Sequence, residues 1–441
     1  MAEGAFAPGH LGELTRFIPF EMVDEVLAET RRTQARVRDL PARVVVYLVL
    51  AGCLFTDLGY GQVWHRLVAG LDGLAVAAPT AAALTQARRR LGVAPLRALF
   101  DLLRGPAASP ATGGVWWRGL LVTAIDGTTM AVADTAANLG VFSKQAGGNG
   151  GSGYPLLRLL AVVCCGSRTI IDATFGTALI GETSYAPALL ARSLRPAMIV
   201  LADRGFAAQT IITAITSAGA QLLIRCKANR KLPTLHRHRD GSYLSTWNGT
   251  PVRVIEAEIT IATQGGTRTG TYRLITTLLD PHTYPALDLV TLYHQRWEIE
   301  TAYLEIKSTI LGGHVLRART PDGITQKIYA LLVTYQILRQ AITDATDTRP
   351  GTDPDRASFT TALNAARDQV VQATGVIADT VIDLVGQIGR LVLANLLPPR
   401  RTRLGPRAVK RAMSRYPAKG LNINRTTYQA TISIDIHNPP P

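Results

Sequence analysis

Two apolar runs, each ending in an aspartate, constrain this chain more than any other feature. Leu120-Ile125 leads into Asp126 within TAIDGTT, and Met198-Ala202 leads into Asp203 within IVLADRGF. Short apolar runs bounded by Gly and Asp read as buried strands. Between and after them lie a hairpin pattern, Leu156-Cys165 and Thr169-Gly176 turning at Gly166-Ser167, and helical patterns at Ser184-Leu194 and Ala207-Gly219; Gln221-Cys226 is a further strand. This alternation predicts a mixed α/β sheet with parallel crossovers. A carboxylate at a strand end faces the ligand-binding edge of such a sheet. Gly127 and Gly205 stand close behind, where a missing side chain lets a bulky substrate approach.

The flanks differ. Residues 11–104 read as helical. Val44-Phe55 carries no charge, but a membrane span needs about 20 residues, so this is a core helix and no membrane partner is expected. Thr80 caps a helix that Gly92 ends; Leu84, Ala87 and Leu91 share its inner face, with Thr85, Arg88 and Arg89 pointing away. A Gly/Pro/Ala/Ser linker fills 105–114. Thr-rich alternation between about 228 and 285 predicts an antiparallel β-rich insertion. Helical periodicity resumes over Leu287-Ile310, Thr325-Thr343, Ser358-Gln372 and Ala378-Leu397. The expected organisation is a helical N-terminal domain over 1–112, an α/β domain over 113–345 interrupted by the insertion, and a C-terminal helical region over 346–441 ending in a basic tail.

Charge indicates the partner. The formal net charge is +15, and forty of the 47 basic residues are Arg, suited to bidentate phosphate contacts. Ten basic residues, among them Arg407, Lys410 and Arg411, fall between Leu384 and Ile434 with no acid, and Tyr416 is interleaved. A second cluster is Arg225, Lys227, Arg230, Lys231, Arg237 and Arg239, and a third is Arg88-Arg89-Arg90, whose helix with its predecessor suggests a helix-turn-helix-like reader. No Gly-rich loop with Lys-Ser/Thr is present, so no nucleotide cofactor is expected. The four cysteines lack zinc spacing, and His236 and His238 have no further His or Cys nearby, so neither set predicts a metal site. The N-terminus lacks the pattern of a signal peptide, and a reducing cytoplasm is expected.

A third carboxylate comes from YHQRWEIETAYLEIK. With about 100° per residue and Tyr293 at zero, Arg296, Glu300 and Lys307 fall at roughly 300°, 340° and 320°, forming one stripe. Glu298 and Glu305 fall at roughly 140° and 120°, on the other side, and are expected to be dispensable. A carboxylate beside a phenol, a guanidinium and an ammonium suits a site that holds a cation next to a phosphate. Asp126, Asp203 and Glu300 offer three hard oxygen donors for two Mg²⁺ or Mn²⁺ ions, the arrangement for in-line phosphoryl transfer.

At these residues the sequence resembles the DDE transposases of the bacterial insertion sequence 4 group. Their Tyr-x2-Arg-x3-Glu-x6-Lys motif is matched by Tyr293, Arg296, Glu300 and Lys307. DGT is matched by Asp126-Gly127-Thr128, and DxG with an aromatic by Asp203, Gly205 and Phe206. The resemblance implies an RNase H-like mixed-sheet core with Asp126, Asp203 and Glu300 as catalytic metal ligands. Tyr293, Arg296 and Lys307, with Arg204, Arg225 and Lys227, would contact DNA phosphates; Arg88, Arg89 and the tail would add further contacts. It implies binding to terminal inverted repeats and target DNA, cut-and-paste excision and insertion by a homodimer on DNA, and a location at the nucleoid. Some members stack a tryptophan of the β-rich region on a flipped base; Trp247 is the sole tryptophan in the insertion here, and LLIRCK has none. The hairpin intermediate therefore stays open. Two alternatives are a domesticated DNA-binding regulator and an RNase H-fold nuclease without strand transfer.

Overall fold

The computed structural model describes residues 7–34, 39–71, 74–145, 151–263, 266–373, 385–398 and 430–437. Five helices come first: α1 (Phe20–Glu29), α2 (Ala42–Leu54), α3 (Tyr60–Val68), α4 (Ala81–Leu91) and α5 (Ala94–Leu103). The uniform apolarity of α2 has a packing cause, because every residue except Arg43 is buried. In α4, Thr80 Oγ1 accepts from the Ala83 amide at 3.2 Å, and Gly92 at φ +70° ends the helix.

Eleven strands follow in one sheet: β1 (Trp116–Trp117), β2 (Leu120–Ala131), β3 (Leu156–Cys164), β4 (Ile170–Thr177), β5 (Met198–Ala202), β6 (Gln221–Arg225), β7 (His236–Arg237), β8 (Tyr243–Trp247), β9 (Thr250–Thr263), β10 (Gly266–Thr276) and β11 (Ala430–Ile436). The order is β4-β3-β2-β5-β6-β10-β9-β8-β7, with β1 on β2 and β11 on β9. β4, β3 and β2 are antiparallel, whereas β2, β5 and β6 run parallel.

Alternate side chains divide between two cores, as period two requires. Ile125, Val200, Ala202 and Leu222 pack with Leu189, Leu190, Ile211 and Ile212. Those residues come from α7 (Glu182–Ser193) and α8 (Gln209–Ser217), which follow the short α6 (Ala136–Leu139). Val122, Ala124, Ile199 and Leu201 join the opposite core, shared with the N-terminal helices. Three antiparallel strands leading into two parallel ones, with helices on both faces, form an RNase H-like sheet.

The opposite face carries α9 (Ala286–Tyr293), α10 (Trp297–Leu304), α11 (Pro321–Asp347), α12 (Phe359–Val371) and α13 (Gly386–Ala394). The long α11 ties the N-terminal helices to the sheet. Its Gln336 accepts from the Ile170 amide at 2.8 Å and donates to the carbonyls of Leu103 and Gly105. Linking buried backbone groups in this way satisfies them without water.

The antiparallel β-rich insertion is present as β7 to β10, and it is continuous with the core sheet, because β10 pairs with β6 from Leu274↔Arg225 to Thr276↔Leu223. Two sequence expectations change. Ala430–Ile436 lies where a basic tail was expected, yet it returns as a strand along β9. α3 and α4 are joined by residues 69–80, much longer than the three or four residues of a helix-turn-helix. The basic residues of the tail, including Arg407, Lys410 and Arg411, lie outside the described residues. All four cysteines are buried and unpaired, and no described helix is long and apolar enough to cross a membrane.

Candidate active site

The first aspartate is not at a strand end. β2 runs on to Ala131, held on one side by β3, with Asp126 opposite Ala161. On the other side, pairing with β5 stops at Ala124↔Leu201. The edge opens there, and carrying the register forward places Asp126 level with Asp203, just past the end of β5. Asp203 caps a short 3-10 turn over Arg204–Phe206, its Oδ1 accepting from the Gly205 amide at 2.7 Å. Asp126 Oδ1 accepts from the Gly127 amide at 2.8 Å. Burial pushes the Asp126 carboxyl up to about 7; the Gly127 amide and Arg296 oppose the rise, while Glu300 and Glu182 add to it.

Glu300 reaches this edge from α10. Arg296 stands between the two acids: its Nη2 donates to Glu300 Oε1 at 3.0 Å, and its Nη1 is 4.0 Å from Asp126 Oδ2. Tyr293 is buried, and its hydroxyl donates to the Ala202 carbonyl at 3.1 Å, one residue before Asp203. Burial raises its pKa well above the usual phenol range. Lys307 Nζ donates to Thr128 Oγ1 at 3.0 Å, on the same strand as Asp126. The stripe from Tyr293 to Lys307 therefore faces the sheet, though the helix is not regular. A 3-10 turn over His294–Arg296 precedes α10, and a π turn over Glu305–Ile310 follows it. The overwound turn advances the helical phase and the underwound one takes it back, so both ends of the stripe face one way.

The other side of this helix is not solvated. Glu298 accepts from Arg168 Nε at 2.6 Å. Glu305 accepts from Arg168 at 3.0 Å, from the Tyr335 hydroxyl at 3.0 Å and from Arg339 Nε at 3.0 Å. Arg168 also pairs with Asp355. These buried ions fix the rotation of the helix that carries Glu300. The sequence put Glu298 and Glu305 on the side away from the stripe and gave no sign of these partners, which lie far away in the chain.

Sequence reasoning also passed over Tyr303, Glu182 and Arg158. The Tyr303 hydroxyl donates to the Asp126 carbonyl at 2.6 Å and accepts from the Ala161 amide at 3.0 Å, bracing β2 from behind. Its place on the helical wheel, roughly 280° from Tyr293, is beside the stripe and could have exposed it. Glu182 pairs with Arg158 at 2.6 Å and fills the space over Gly127, where a Cβ would come within 2.4 Å of its carboxylate.

Arg204 and Lys227 line a cleft of about 660 Å³ beside Asp203, with Arg230, Lys231 and Trp247. Arg225 is half-buried and packs over the Tyr272 ring at 4.1 Å while donating to the Thr271 carbonyl. Trp247 is 3% exposed with Arg230 across its face at 4.2 Å, which leaves no room for a base to stack on it in this conformation. Arg89 is exposed. Arg88, expected to point outwards, instead lies over the Tyr60 ring at 3.8 Å. His236 and His238 contact each other edge to face.

Among the described residues, no three His, Cys, Asp or Glu side chains converge closely enough to hold a metal ion as they stand. The donor set nevertheless fits a hard divalent cation. Two of its carboxylates already share a cation, the Arg296 guanidinium, and all the donors are oxygen.

An RNase H-like sheet with acids gathered at one edge is the setting of a nucleic-acid phosphoryl-transfer enzyme. Residues 117–337 match the family described as Transposase DDE domain, and residues 8–101 match Insertion element 4 transposase N-terminal. The chain belongs to the DDE transposases of the insertion element 4 family and is an enzyme that cleaves and transfers DNA. It is 25% identical over 421 residues to "Transposase InsG for insertion sequence element IS4" of Escherichia coli (strain K12), covering 92% of this chain and 93% of that one. It is 28% identical over 211 residues to "Putative transposase InsZ" of the same organism, covering 46% of this chain and 66% of that one. A solved piggyBac transposase synaptic complex with hairpin DNA aligns over 88% of this chain and 86% of its own, with a TM-score of 0.44 and 10% identity.

Proposed function

We propose that this transposase binds the terminal inverted repeats of an insertion sequence and moves it by cut-and-paste, with Asp126, Asp203 and Glu300 holding two Mg²⁺ or Mn²⁺ ions. The observation that carries this reading is the parallel register of β2 and β5, which runs to Ala124↔Leu201 and so brings Asp126 and Asp203, two residues on, out level at the open edge, with Glu300 joined to Asp126 through Arg296. Ions held there supply the charge that activates an attacking oxygen and stabilises the leaving one.

The chain's own residues orient the DNA. Arg296 and Lys307 offer N–H donors to phosphate oxygens at the open sheet edge. Arg204 and Lys227, in the neighbouring cleft, take the backbone on the Asp203 side. Tyr293 is a brace, because its hydroxyl is committed to the Ala202 carbonyl. Arg225 steadies the cleft wall through Tyr272. Catalysis of this kind is mostly positioning and charge neutralisation. Arg89 and the basic tail supply outer phosphate contacts, a homodimer on DNA brings two ends together, and the enzyme works at the nucleoid on terminal repeats and target DNA.

Cleavage of element-end DNA by Asp126→Asn, Asp203→Asn and Glu300→Gln tests the triad. Each loses more than about 100-fold, or roughly 2.7 kcal/mol of barrier. Near-normal cleavage by any one of them removes that residue from the set of ligands.

A further inference from the structure

A second cationic cleft, of about 230 Å³, lies between α2–α4 and the segment 311–318 that follows the π turn. Arg88, Arg317 and Lys327 line it together with His314, Tyr60 and Thr56, and no Asp or Glu does. Two of these cations have a structural reason to be there. Lys327 Nζ donates to the Gly52 carbonyl at 2.6 Å, complementing the C-terminal turn of α2, and Arg317 donates to the Thr56 carbonyl in the loop just past it. Arg88 is held by the Tyr60 ring instead: its guanidinium carbon lies 3.8 Å from the ring centre, and its Nε is buried with no hydrogen-bond partner. A buried donor left without an acceptor, among like charges, is unfavourable unless an anion completes the site.

The place of the cleft relates it to the catalytic edge. Val132, just past the end of β2, bridges to Leu316 on the cleft wall. A strand rise of about 3.3 Å per residue puts this on the order of 20 Å from Asp126. Lys307, bonded to Thr128, lies between. Cations thus mark one track from the catalytic centre to the N-terminal helices.

We propose that this cleft is a DNA-phosphate site, holding a backbone phosphate on the order of six base pairs from the phosphate at Asp126, at about 3.4 Å per pair. An Arg held against a Tyr ring by cation–π contact can still offer N–H donors to phosphate oxygens. The distance rests on the catalytic reading above; the anion site does not.

The test measures binding to a fluorescein-labelled random-sequence duplex by anisotropy across a salt series. Arg88→Gln makes the slope of log affinity against log salt shallower by about 0.9, the value for one neutralised phosphate. Arg97→Gln, on the exposed side of α5, leaves it unchanged. Arg317→Gln, at an exposed position of the cleft, shows the same change in slope and serves if Arg88→Gln fails to fold. An unchanged slope in a folded Arg88→Gln or Arg317→Gln protein overturns the proposal. Failure of the catalytic reading looks different: the wild type would bind DNA with the Arg88-dependent slope and yet not cleave element ends with Mg²⁺.

Discussion

Arg296 donates to Glu300 across one helical turn at 3.0 Å. The same guanidinium lies 4.0 Å from Asp126, so a protein cation sits between two acids proposed to bind metal. Before DNA arrives, Arg296 competes with the ion for them. Arg296→Gln is therefore expected to bind Mn²⁺ about tenfold more tightly than wild type without DNA, about 1.4 kcal/mol, while its cleavage rate falls. Titration calorimetry reads the affinity. Weaker Mn²⁺ binding in the variant would show that Arg296 supports the ion instead of competing with it.

Asp126 gives the metal-free protein a pH dependence. Burial lifts its carboxyl in the folded state to about 7, from an ordinary value of 3.8. The folded state then holds a proton that the unfolded chain releases. The stability this proton contributes is complete below about pH 4 and is lost as pH rises towards about 7. Urea unfolding midpoints at about pH 5 and about pH 8 are expected to fall with rising pH more in wild type than in Asp126→Asn. Mn²⁺ affinity moves the opposite way, rising up to about pH 7 as the carboxyl ionises. Equal pH slopes in the two proteins would place the titrating group elsewhere.

Glu305 is a stability residue. Arg339 is 0% exposed and relies on it, and Arg168 shares it. Glu305→Gln strands buried positive charge and is expected to cost about 3–5 kcal/mol, the usual penalty for breaking such a pair from one side. Glu298→Gln costs less, because Arg168 keeps Glu305 and Asp355. Denaturant unfolding of both variants checks the order.

The tail is best tested by neutralising charge. Deleting everything after Leu397 also removes β11 from β9. Arg407, Lys410 and Arg411 changed together to Ala keep the strand. The expected result is weaker DNA binding and a salt slope shallower by up to about 2.7, near 0.9 for each phosphate no longer neutralised. An unchanged slope would mean that this stretch does not grip DNA.

Local pattern carried much of this structure. Thr80 and Gly92 marked α4 because capping is short-range chemistry. Met198–Ala202 was readable as a strand, and the stripe from Tyr293 to Lys307 as a helix face, because burial imposes periodicity. Tertiary partners decided the rest. β2 continues past Asp126 because β3 still pairs with it after β5 has ended, which no local signal reports. The partners of Glu298 and Glu305 were not legible, because Arg168 and Arg339 come from other elements far away in the chain. Arg88 turned inwards because Tyr60, on another helix, offered its ring.

The pairing of β10 with β6 has a mechanical consequence. β6 is the parallel neighbour of β5, which ends in Asp203. The insertion is therefore coupled stiffly to the catalytic edge with no hinge at this seam. A load on β8 or β9 would be transmitted to Asp203 as added twist of one continuous surface, a deformation spread over backbone hydrogen bonds instead of stored in a joint.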